Sequence, residues 1–153
     1  MKKLILIIFT LTMAIVSQAK ILSFSPDVDV RVSQCEAFGN DVFVDLVITN
    51  TSESDIERFS IMGGADNSSF ACDDDANQYT GQDFRVCIGK SKNFESTWRQ
   101  SCPLPSETAV KVHIKLSNVP KSVTKILRLD LSCGVDYDVD KTIKITQIPI
   151  SRK

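Results

Sequence analysis

Apolar and polar residues alternate with a period of two along most of the chain, the spacing of strands with one face turned to a core. Val28, Val30 and Val32 alternate with Asp29, Arg31 and Ser33, in a run that continues towards Cys35. Gly39-Asn40-Asp41 turns the chain into the most strand-like run of all, Val42 to Asn50. There Val42, Val44, Leu46 and Ile48 share one face, and Phe43, Asp45, Val47 and Thr49 the other. Because the second face is also largely apolar, both faces are expected to be covered and the strand to be central in its sheet.

Further strands are expected over Ile56–Met62, ending at Gly63-Gly64, and over 83–88. Ser69 to Tyr79 reads as a β-hairpin with its tip at Ala76-Asn77. Val110, Val112, Ile114 and Leu116 alternate with Lys111, His113, Lys115 and Ser117; after a turn at 118–121, Leu127, Leu129 and Leu131 alternate with Arg128, Asp130 and Ser132. In the last run, 142–150, Ile143 and Ile145 give way to Ile148 and Ile150, a change of phase that predicts a bulge near Gln147, while Pro149 favours an edge. Gly89 to Pro105 has no period and reads as a long loop. No stretch after the leader has the 3.6-residue period of an amphipathic helix.

Seven or eight short strands separated by turn formers indicate an all-β protein, a two-sheet antiparallel sandwich of immunoglobulin-like type; a small closed barrel is the alternative.

The N-terminus changes the picture of where this sandwich works. Lys2 and Lys3 precede an apolar run from Leu4 to Val16 and then Ser17-Gln18-Ala19, the layout of a secretory signal peptide over residues 1–19. Residues 20–153 then form one exported domain, periplasmic or secreted, with no membrane insertion after cleavage. Losing Lys2 and Lys3 takes the net charge from −1 to −3, which gives no electrostatic footprint for nucleic acid. All five cysteines lie in the exported part, where disulfides persist. Cys87 with Cys102 and Cys35 with Cys133 are the candidate bridges; the first would close a loop of about 15 residues, worth ~3 kcal/mol in the chain-entropy model.

The phrase VFVDLVITNTSESD, the hairpin that ends in Tyr79 and the late VKVHIKLSNVPKS strand and turn resemble small secreted immunoglobulin-like domains of bacteria. That group includes mycobacterial immunoprotective extracellular proteins and uncharacterised exported Bacteroidetes proteins. The resemblance implies a β-sandwich and export, and it brings no catalytic residues. The 89–105 loop and the cysteines lie outside it.

Candidate chemistry is sparse. His113 stands between Lys111 and Lys115 on the polar side of its strand and reads as an exposed histidine, which removes most Ser-His-Asp and Cys-His catalysis. Asp73-Asp74-Asp75 and the alternating Asp136, Asp138 and Asp140 offer oxygen ligands that suit calcium, although the second run has Lys141 where a calcium loop turns on glycine. The competing reading is solvated loop charge. Lys90, Lys92, Phe94, Trp98 and Arg99 combine aromatic and basic types in one loop, a composition enriched at interaction sites. Its competitor is that Phe94 and Trp98 cap the core. The expectation is a non-enzymatic binding domain for a protein or glycan without a cofactor, using the 89–105 loop; the alternative is a calcium-stabilised structural or assembly domain.

Overall fold

A computed structural model describes residues 18–90, 92–94 and 98–152; the expected leader, apart from Gln18 and Ala19, lies outside them. Twelve strands are formed among the described residues. The first six are β1 (Lys20–Leu22), β2 (Val28–Phe38), β3 (Asp41–Asn50), β4 (Ile56–Met62), β5 (Phe70–Asp73) and β6 (Gln78–Tyr79). Next come β7 (Phe84–Ile88), β8 (Arg99–Leu104), β9 (Ala109–Leu116), β10 (Lys125–Val135), β11 (Asp138–Pro149) and β12 (Ser151–Arg152).

One sheet has the order β12-β2-β3-β9-β7, antiparallel except for the parallel β12–β2 pair. The other runs β1-β11-β10-β4-β8, with the β5–β6 hairpin also paired to β10. The expected all-β two-sheet sandwich is therefore the fold, with more strands than the seven or eight that alternation marks. A single cluster of buried side chains lies between the sheets. Val42, Val44, Leu46 and Ile48 supply one wall, and Leu129, Leu131, Ile143 and Ile145 belong to the other, all fully buried. Removing each such side chain from water contributes roughly 1.5–3 kcal/mol before entropy is counted.

β3 is the middle strand of its five, as its pattern predicts. Its outward face is only half-buried, however, so this face is accessible where the sequence reading has it covered. The phase change in β11 occurs where expected: Gln147 has a left-handed backbone, φ 59°, and Ile143, Ile145 and Ile148 are all buried on either side of it.

The missed strands are short or lie at sheet margins. β1 and β12 have three and two residues, too few to display a period. β8 replaces the end of the expected 89–105 loop. It contains Pro103, tolerated because β8 is an edge strand, where a missing N–H breaks no ladder on its outer side. The same margin is closed by a side chain: Gln100 on β8 donates Nε2–H to the Val86 carbonyl (3.1 Å) and accepts the Ile88 N–H at Oε1 (3.0 Å). An amide thus takes the place of a neighbouring strand along β7, and the two sheets are tied together where the chain crosses between them.

Turns are fixed locally. Asn50, fully buried, donates to the Ser54 and Leu104 carbonyls (2.8 and 3.1 Å) and accepts from Ser52, so its amide pins the 51–55 turn against β8. Gly64 forms an isolated bridge with Gly81, and a Cβ there would stand 2.5 Å from the Gly81 nitrogen, leaving no room for any other residue.

Candidate functional site

The segment after β7 separates the five loop residues singled out from the sequence into two places. Gly89, with φ 92°, turns the chain so that Lys92 and Phe94 fold back over the outer face of the five-stranded sheet. Trp98 and Arg99 lie at the start of β8, on the margin of the other sheet. Trp98 is 63% exposed, so it does not cap the core. It and Arg99 line a 390 Å³ hollow with Met62, Asp66 and Ser68. That hollow is bounded by a turn in which Asp66 and Asn67 are both left-handed (φ 54° and 56°).

Beneath the returning segment lies a feature that the sequence reading missed. Asp45 on β3 is directly opposite His113 on β9, and His113 is directly opposite Cys87 on β7, so three outward positions fall in one row across the sheet. His113 is not exposed as expected but buried, 4% accessible, with Gly89 and Lys92 closing over it. Its Nδ1 is 2.7 Å from Asp45 Oδ1 and its Nε2 is 3.0 Å from the Gly89 carbonyl. Lys92 Nζ donates to the other Asp45 oxygen at 3.2 Å. Burial alone would raise the Asp45 pKa; the hydrogen bonds and positive charge of His113 and Lys92 outweigh it and hold the carboxyl below its usual value.

Both partners of the imidazole are acceptors, a carboxylate and a carbonyl. The ring satisfies the two together only when each nitrogen carries a hydrogen. This matters for the chemistry of the row. A catalytic histidine bonded to an acid through one nitrogen turns the other to its nucleophile; here the second nitrogen is taken by the backbone. Cys87 directs its sulfur towards the Ile88 carbonyl (4.0 Å) and is buried. The Asp45–His113 pair accordingly acts as a fixed polar support for Lys92 and for the Gly89 turn.

Two cavities flank Lys92 on this face. One, of 450 Å³, is lined by Gly89, Lys90, Lys92, Ala109, Val110, Lys111 and His113. The other, of 350 Å³, is lined by Gln34, Glu36, Phe38, Phe43, Asp45 and Lys92. Phe38, Phe43 and Phe94 form a continuous row with ring centroids 5.8 and 5.7 Å apart. Lys115 is held over Phe43, 5.8 Å from its centroid, and pairs with Asp41 at 2.9 Å.

The aspartate runs go elsewhere. Asp73 is buried and accepts from Asp75 N and Asn77 N (both 2.9 Å), Asn77 Nδ2 (2.9 Å) and the Tyr79 hydroxyl (2.5 Å). Asp74 accepts from the Thr124 backbone and hydroxyl, and Asp75 from Ser122 (2.6 Å). The three carboxylates thus organise a hairpin and its contact with the 122–124 turn. Asp136 belongs to the tight β10–β11 turn and binds the Arg58 N–H (3.1 Å), while Asp138 and Asp140 are on β11, with Asp138 paired to Lys141 (2.6 Å). The alternating aspartates therefore lie on the β10–β11 hairpin and its turn. Among the described residues no three His, Cys, Asp or Glu side chains are placed to hold a metal ion.

The expected disulfides are also corrected: neither Cys87–Cys102 nor Cys35–Cys133 is formed, and all five cysteines are thiols. Cys35 and Cys133 are buried in the core cluster, on β2 and β10 of opposite sheets. Burial pushes each of their pKa values up to about 12, the environment of an unreactive core thiol. No protein-family model matches the chain, and no curated protein matches its sequence significantly.

Proposed function

We propose that this is an exported, non-enzymatic binding domain whose ligand-binding surface is the outer face of the five-stranded sheet around Gly89 and Lys92. The observation that carries this reading is the placement of Lys92 between two cavities, anchored by Asp45 above a buried His113. Cavities of this size suit small ligands or a few units of a larger one. The non-enzymatic part is supported by the use of both imidazole nitrogens in fixed hydrogen bonds. Export to the periplasm or the medium rests on the leader read in residues 1–19, and a protein or glycan partner on the mixture of aromatic and cationic groups.

The test is an array of glycans and purified envelope proteins probed with the wild type, Lys92→Glu and Trp98→Ala. A ligand retained by the wild type and by Trp98→Ala but lost by Lys92→Glu supports the reading. The opposite pattern moves the site to the hollow beside Asp66. Retention by both variants removes both faces from consideration.

A further inference from the structure

We infer that the pocket between Lys90, Lys92 and Lys111 takes the acidic group of a glycan, and that the neighbouring phenylalanine row receives the uncharged face of a sugar ring. This rests on the proposed binding face and adds the ligand's chemistry to it.

The charge around the pocket does not reflect the chain as a whole. Acidic residues outnumber basic ones, 19 to 18, yet the described residues lining the 450 Å³ pocket include three lysines and no carboxylate. Lys90 and Lys111 are exposed, and among the described residues neither is in an ion pair. Lys92 is held in place by Asp45, whose carboxylate lies on the side of the second cavity. With Lys92 paired to Asp45 and Lys90 and Lys111 bringing two further positive charges to the same concavity, the lining is net positive, and an oxyanion is the group that complements it. Ala109, on the same face of β9 as Lys111 and His113, leaves part of the wall apolar, while Val110 turns its side chain to the core.

The second cavity supplies what a purely ionic ligand would not use. It shares Lys92 with the first and is walled by Phe38, 58% exposed, and Phe43. Sugar rings present C–H faces that pack on aromatic rings, and carboxylated or sulfated sugars carry the anion beside that face. A neutral glycan would leave the lysines unused. Over the second cavity an extended peptide is disfavoured by topology: β3 is paired on both sides there and offers no strand edge on which a peptide backbone could add.

Calorimetric titration of the exported chain settles the class, with oligogalacturonate and chondroitin sulfate as acidic glycans. Dextran, poly-L-glutamate and inorganic phosphate are the comparators. The expected result is binding of an acidic glycan about tenfold or more tighter than each comparator, weakening as salt is added. Lys90→Glu with Lys111→Glu should reduce it about tenfold, and Phe38→Ala about threefold, with melting temperatures unchanged because all three side chains are exposed. Equal binding of dextran, no binding of either acidic glycan, or binding indifferent to the lysine substitutions overturns the assignment. Phosphate binding as tight as the glycans removes the sugar from the site. Tight poly-L-glutamate binding that the lysine substitutions abolish removes the glycan while leaving the face a binding surface, so the two readings fail separately.

Discussion

Asp45 and Asp73 are two shielded carboxylates on strands of the same sandwich, and both are held below the usual pKa by hydrogen bonds that outweigh burial. Their partners differ in origin. The four donors to Asp73 all come from residues within six positions, so the hairpin builds the whole environment itself and closes it. Those of Asp45 lie 47 and 68 positions away, on a crossing segment and on the next strand, and one of them, Lys92, remains 54% exposed between two cavities. A locally satisfied acid fixes a turn. An acid satisfied from afar, with an exposed cation as partner, fixes a surface whose charge is still available to something else.

The sharpest way to break this comparison is to remove each carboxylate in turn. Asp73→Ala strands the buried Tyr79 hydroxyl and three part-buried donors at once and should cost about 3 kcal/mol in urea unfolding, with ligand binding by the remaining molecules intact. Asp45→Ala should cost less, about 2 kcal/mol, since Lys92 returns to water and only His113 keeps a buried, unmatched nitrogen. The same substitution should weaken binding at the lysine pocket, because Lys92 loses its anchor. Equal losses of stability, or binding lost in Asp73→Ala instead, would contradict the assignment of roles.

Acid and alkali test the hairpin further. Both aspartates have lowered native pKa values, so the stability they add is complete above their ordinary value of 3.8 and is lost as pH falls through the native ones. The acid limb of a stability–pH curve should therefore flatten in Asp73→Asn and Asp45→Asn. Tyr79 shifts the other way: burial first, then the hydrogen bond and charge of Asp73, raise its pKa above 10.0. Its contribution is present below that value and lost as pH rises, so Tyr79→Phe should flatten the alkaline limb and, by removing a hydrogen bond that lowers the Asp73 pKa, part of the acid limb as well.

Two smaller effects complete the series. Trp98→Ala should change stability by less than about 0.5 kcal/mol, as expected for an exposed side chain; a larger loss in thermal unfolding would make it part of the core. In native protein at neutral pH, a thiol reagent should leave Cys35 and Cys133 unmodified, and peptide mapping should find them labelled only after denaturation.

Much of the scaffold is legible along the chain because a period of two is a local property. The alternation at 28–32, 42–50 and 110–116 places β2, β3 and β9, and the phase change between Ile145 and Ile148 marks Gln147. β8 escaped because Arg99, Gln100 and Pro103 do not look like a strand, and its pairing with β4 is what makes it one. His113 escaped for a related reason. Between two lysines it has the pattern of a solvent-facing position, and outward it does face; it is the return of Gly89 and Lys92 that covers it.

By itself the sequence determined that the chain is a two-layer β protein, with β3 at the centre of a sheet and which residues of each clear strand face inward, because the pleat repeats every two residues. The tertiary structure alone decided which outward residues meet. Strand order and register bring Asp45, His113 and Cys87 into one row, and the crossing after Gly89 lays Lys92 over it. Those contacts join residues up to 68 positions apart and leave no period or spacing in the chain that forms them.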